Sequence, residues 1–154
     1  MQDRSSTAVP AVVAWLGYGG LLPFAGLLAL QFWDPHHADW LQNALLAYGA
    51  CIFSFVGALH WGFAMTLPEL DARQRNHAFV WSTLPALVAW LALVVDPLAA
   101  GGLLIFGFIA HYLRDRRLAR RASLPGWYLP LRFRLTTVAT LCLAASSIGP
   151  LFVY

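Results

Sequence analysis

Lysine is absent from the chain, and acidic residues number only seven among 154 positions. Charged residues make up 11% and hydrophobic ones 60%, against the ~25% charge usual in water-soluble domains, so a surface facing water on every side is excluded. Cysteine is scarce as well. Cys51 and Cys142 both fall inside apolar runs, where small packing residues are expected rather than a disulfide or a metal pair. The sequence also lacks a glycine-rich phosphate loop, a zinc-peptidase helix and a serine nucleophile elbow, so Ser54, Ser146 and Ser147 read as helix-packing residues and no enzymatic activity is expected. No internal repeat or low-complexity tract is present, and no segment between the apolar runs is long enough for a soluble domain.

What remains is a series of apolar stretches of membrane-crossing length. An all-α integral membrane bundle is expected, a single domain over 1–154, with five spans near Pro10–Phe32, Trp40–Thr66, Ala78–Val95, Pro97–Tyr112 and Leu135–Leu151. The third and fourth spans meet at "VVDPL", where Asp96 and Pro97 suit a tight turn, so the pair makes either a full or a re-entrant hairpin. Gly17, Gly19, Gly20, Pro23 and Gly26 in the first span, and Pro85 in the third, predict kinks or close helix approach. No cleaved leader is expected, since "MQDRSS" carries no net charge.

All ten basic residues are arginine, and they are unevenly placed. Arg4 precedes the first span, Arg73 and Arg75 follow the second, and Arg114, Arg116, Arg117, Arg120, Arg121, Arg132 and Arg134 lie between the fourth and fifth. With five crossings every one falls on the same side, which predicts the amino terminus inside and the carboxyl terminus outside. The net charge of +3 therefore points to lipid head groups, contacted by Arg114, Arg116, Arg117, Arg120 and Arg121, and not to nucleic acid. Residues 113–134 are expected to form an interfacial shelf, broken at Pro125 and Gly126 and anchored by Trp127 and Tyr128.

Within the second span, Ala50, Ser54, Ala58 and Gly62 recur every fourth residue and are expected to line a close helix contact. His60 lies on another face, with Gly49, Phe53 and Gly57, about 9 Å from the inner end of its span. His111 reaches a similar depth on the fourth span. An ionisable ring in hydrocarbon needs a partner, and the nearest choices are His111, Tyr112, Trp61 or a carbonyl freed at a kink. A neutral ring bonded between helices is the plainest reading; a quinone site or a b-type haem held by His60 and His111 is the alternative, although no cofactor is expected. No charged residue is expected in mid-membrane, which leaves a small-solute carrier without an evident coupling group. The loop "WDPHHAD" offers His36 and His37 as weak metal candidates, but a solvated turn flanked by Trp33 and Trp40 is expected instead.

Four blocks, "LGYGGLLPFAG", "YGACIFSFVGALHWG", "LPALVAWLA" and "LPGWYLPLRFRLT", taken in order resemble the transmembrane-protein-69-like family. The resemblance implies a small multi-pass protein of the bacterial or mitochondrial inner membrane and supplies no catalytic residues. The leading expectation is an accessory or assembly subunit packing against a larger, bioenergetic membrane complex, with the lipid bilayer and a membrane protein as partners.

Overall fold

The computed structural model describes residues 8–148, which form helices and no strands. Helix α1 (Ala11–Gly19) and α2 (Leu22–Trp33) together make the first apolar segment, a short 3-10 turn covers Pro35–His37, and α3 (Ala38–Thr66), α4 (Ala72–Ala92), α5 (Pro97–Ala119) and α6 (Tyr128–Ile148) follow. Among the described residues, four segments are long and apolar enough to cross a membrane: Ala11–Trp33, Pro35–Thr66, Pro97–Ala119 and Tyr128–Ile148. Arg73, Arg75, Asn76 and His77 in the first turns of α4 keep it out of that group, despite its 21 residues.

Local chemistry sets the boundaries. Pro23 has no N–H for the carbonyl of Gly19, and the Tyr48 hydroxyl donates to the next carbonyl, that of Gly20, at 2.8 Å, so the first span parts into two helices there. Asp71 caps α4 in a reciprocal box with Gln74, which starts that helix six residues ahead of the expected Ala78. Asp96 accepts from the Ala99 N–H at 3.0 Å and Pro97 occupies the first position of α5, so "VVDPL" is a turn followed at once by a helix.

Two expectations are corrected at the arginine-rich end. The fourth span does not stop at Tyr112 but runs on to Ala119, and the last helix begins at Tyr128, ahead of the expected Leu135. The interfacial shelf over 113–134 thus shrinks to the link between these helices. Pro130 does not prevent the early start because it sits in the first turn of α6, where its missing N–H has no intrahelical partner to lose. The carboxyl end expected for that span, near Leu151, lies outside the described residues.

Contacts give the bundle its directions. Gly57 of α3 meets Pro85 of α4 and Trp61 meets Phe79, so the two helices are antiparallel. Phe53 packs on Phe108 and His60 on His111, so α5 runs parallel to α3; Ser147 stands against Gly101 and Arg132 against Asp115, which makes α6 antiparallel to α5 and so to α3. The mid-bundle core is apolar, formed by Phe24, Leu45, Phe53, Leu104, Phe108 and Leu143. At the end away from the arginines, Ser146 donates to Gln31 at 2.6 Å, while the amides of Gln31 and Gln42 both donate to the Ser146 carbonyl.

The small-residue stripe is also corrected. Ala50 is buried, but Ala58 and Gly62 are exposed, and a side chain built at Gly62 would meet nothing within 4 Å. The close approach runs along the histidine face instead: Gly49, Gly57 and His60 are all buried there.

Candidate functional site

A second polar layer crosses the bundle near the arginine-rich end, centred on a residue the sequence reading passed over. Asp115 is fully buried on α5. One carboxylate oxygen lies 2.9 Å from His60 Nε2 on α3, and the other accepts from Arg132 Nε of α6 at 2.9 Å. Helix periodicity explains the meeting: Asp115 is four residues beyond His111 and shares its face, while Arg132 is on α6 only because that helix starts at Tyr128. This buried pair places charge inside the bundle, one turn from the arginine-rich ends of α5 and α6, which was not expected from the sequence. Arg132, counted in sequence only among the arginines between the fourth and fifth spans, turns inward.

His111 completes the layer and brings in α4. The indole N–H of Trp81 donates to His111 Nδ1 at 3.2 Å. Indole is a donor only, so a neutral His111 carries its proton on Nε2, which lies 3.8 Å from Asp115, beyond hydrogen-bond length. His60, His111 and Asp115 have the composition and closeness of a metal-ligand set, all within 4.8 Å. That proton, however, occupies the lone pair a metal would need. The His60 and His111 rings meet edge to face with centroids 4.9 Å apart, leaving no slab between them for a macrocycle.

The other sequence candidates are placed as follows. Trp61 is exposed and rests its edge on Phe79; Tyr112 is half-buried against Phe133. Neither bonds His60. Arg116, Arg117, Arg120 and Arg121 are exposed, whereas Arg114 is half-buried with its guanidinium 5.5 Å above the Trp81 ring. His36 and His37 stay on the surface: Asp34 accepts from the His36 N–H at 3.2 Å and lies 2.7 Å from His37 Nδ1, and this hydrogen bond to His37 lowers the Asp34 pKa. That carboxylate is thus committed to shaping its own turn.

Two openings flank the carboxylate. On the arginine side a polar cleft of about 190 Å³ runs in from the surface between α4 and α5, lined by Gln74, His77, Arg114, Arg117 and Arg121 with His60 at its floor. On the lateral side an apolar cleft of about 110 Å³ opens between the α1–α2 break, α3 and α6, with Arg132 and Thr136 at its polar end. Among the described residues, four buried polar atoms of this layer have no hydrogen-bond partner: His111 Nε2, the Tyr128 hydroxyl, Arg132 Nη2 and Thr136 Oγ1. Asp115, Trp81 and Thr136 were missed in sequence, while Arg132 was read only as an inner-side charge and Tyr128 as an interfacial anchor; the structure buries both. The one available signal was the spacing from His111 to Asp115.

Comparison with known proteins adds a family to this geometry. Residues 9–148 match the family described as "Protein of unknown function (DUF3429)". A protein named transmembrane protein 69 from Xenopus tropicalis is 35% identical over 145 residues, covering 91% of this chain and 55% of that protein. Its namesake from Mus musculus is 24% identical over 131 residues, covering 84% of this chain and 53% of that protein. The chain thus spans about half the length of the curated relatives it matches. No solved structure matches it.

Proposed function

The chain belongs to the DUF3429, transmembrane-protein-69-like family of multi-pass membrane proteins, and from that premise we propose that it crosses the inner membrane of a bacterium or mitochondrion five times, with its arginine-rich end inside. Support comes from helix direction. If α3 and α5 both cross, and run parallel, then α4 must carry the chain back across the same thickness, and its 21 residues span about 31 Å. The polar residues of α4, Arg73 to His77, fall in its first turns at the arginine-rich end, where head groups and water can solvate them. In a Cys51→Ala, Cys142→Ala background, cysteines at Glu69 and Ser123 should react with an impermeant maleimide only from the inner face, and one at Asp39 only from the outer. Labelling of Glu69 and Asp39 from one side would refute five crossings.

Within that membrane the protein acts as a non-enzymatic accessory subunit. The observation that carries this is how loosely the first segment is held: 6% of its most apolar window is buried, against 44% for Pro35–Thr66, and α1 buries no residue at all. Gly19 and Gly26 are also open, with nothing within 4 Å of an added side chain. The segment offers an unburied apolar face to another membrane protein. A photo-crosslinking residue at Gly26 should yield one discrete heavier adduct in native membranes, whereas the same residue at Trp90 should label lipid alone. Indistinguishable patterns at the two positions would remove this reading.

A second reading, a protein that holds a small ligand in the bundle, is favoured by the unpartnered donors around Asp115. His60 is not the contact, because its Nε2 is taken up by the carboxylate.

A further inference from the structure

We infer that the lateral cleft binds the carbonyl head of a neutral, membrane-dissolved amphiphile through Arg132 Nη2 and Thr136 Oγ1; the inference deepens the ligand-holding reading and rests on it. Two atoms define the site. Both are buried without a hydrogen-bond partner, both belong to residues lining the cleft, and Arg132 and Thr136 are only 6% and 7% exposed. A buried donor left unmade is costly, and one acceptor oxygen placed between them would satisfy both. They lie one helical turn apart on one face of α6, the spacing at which two side chains can share a single oxygen.

The rest of the cleft defines what carries that oxygen. Gly17, Gly20, Phe24 and Val56 make its walls apolar, and its side opening faces the surface that meets lipid. Its volume of about 110 Å³ is somewhat below the ~150 Å³ of an enclosed cavity that admits benzene, so it takes a head or ring edge while a tail remains in the bilayer. Charge decides between a carbonyl and a carboxylate. Arg132 already neutralises Asp115 at 2.9 Å, so an anionic head would bring an unpaired charge into a site whose charges are balanced. A neutral acceptor carries no such cost.

Two membrane molecules share this chemistry, a prenylated quinone and the acyl ester of a phospholipid. The geometry also joins the site to the other opening, because Asp115 bridges Arg132 on the lateral side to His60 at the floor of the basic cleft. A ligand seated at Arg132 is thereby two hydrogen bonds from the arginine-rich surface.

The test uses the full chain in phospholipid nanodiscs, with decylubiquinone titrated against intrinsic tryptophan fluorescence and native mass spectrometry run on the detergent-extracted protein. If a quinone is the occupant, decylubiquinone binds saturably, Thr136→Val weakens it by about 3- to 10-fold through one lost hydrogen bond, and Leu135→Phe, placed at the mouth, abolishes it. If a lipid ester is the occupant, the probe does not bind, a phospholipid is retained by the wild type, and both variants lose it. A retained ligand indifferent to both variants would overturn this site and leave the ligand-holding reading standing. No retained ligand and no probe binding would overturn both. Unchanged circular dichroism and melting of Thr136→Val, which keeps the side-chain shape, separate loss of binding from loss of fold.

Discussion

Asp115→Ala is expected to lower the stability of the bundle in detergent by about 3–5 kcal/mol, the largest effect of any single substitution considered. Two costs add. The guanidinium of Arg132 keeps its burial but loses its counter-charge, and His60 loses its hydrogen bond to the carboxylate. Asp115→Asn separates shape from charge: its amide oxygen can accept from Arg132 while its nitrogen donates to His60 Nε2 in the Nδ1–H tautomer, so both hydrogen bonds are kept and only the counter-charge is lost. Asparagine should therefore recover part of the loss, and the remainder reads the charge. The double variant Asp115→Leu, Arg132→Met should recover most of the loss, since removing both charges removes the desolvation cost along with the attraction. Thermal unfolding of the four proteins in one detergent reads the series, and an Asp115→Ala variant within about 1 kcal/mol of the wild type would show that the ion pair does not lock the helices.

The sequence yielded the helices and the orientation of His60, but not its partner. Hydropathy marks the apolar stretches because a membrane span must be long and uncharged, and helical periodicity put His60 on the Gly49, Phe53 and Gly57 face, all of which are buried. Asp115 was hidden by its neighbours. In "RDRR" it reads as one acid among solvated arginines, and only the continuation of α5 past Tyr112 carries it onto the face of His111. Arg132 was concealed by "LPGWYLP", whose prolines and glycine argue for a loop until Pro130 is recognised as belonging to a first helical turn. The Ala50 to Gly62 stripe misled for a related reason: small residues permit close approach on two faces of α3, and nothing in the spacing says which face has a neighbour. The choice was made by Pro85, a residue on another helix.

That contact predicts the second large effect. A Cβ placed on Gly57 would lie 2.5 Å from Pro85 Cβ and 2.6 Å from its Cγ, closer than side chains ever stand, and a pyrrolidine ring fixed to its own backbone cannot swing aside. Gly57→Ala should therefore force α4 away from α3 and cost about 1–3 kcal/mol, with Gly57→Leu costing more. Gly62→Leu, five residues along the same helix with open space around it, should stay within about 0.5 kcal/mol of the wild type. The displacement would also reach the polar layer, because Trp81 stands one turn before Pro85 and holds His111 by a 3.2 Å bond that cannot survive a shift of much over half an ångström. In the Gly57→Ala protein the indole N–H resonance of Trp81, assigned by its absence in Trp81→Phe, should move toward that of a free indole and exchange faster with solvent. If Gly57→Leu and Gly62→Leu melt alike and the Trp81 resonance stays in place, α3 and α4 do not meet at Pro85, and the layer around Asp115 is held by three helices instead of four.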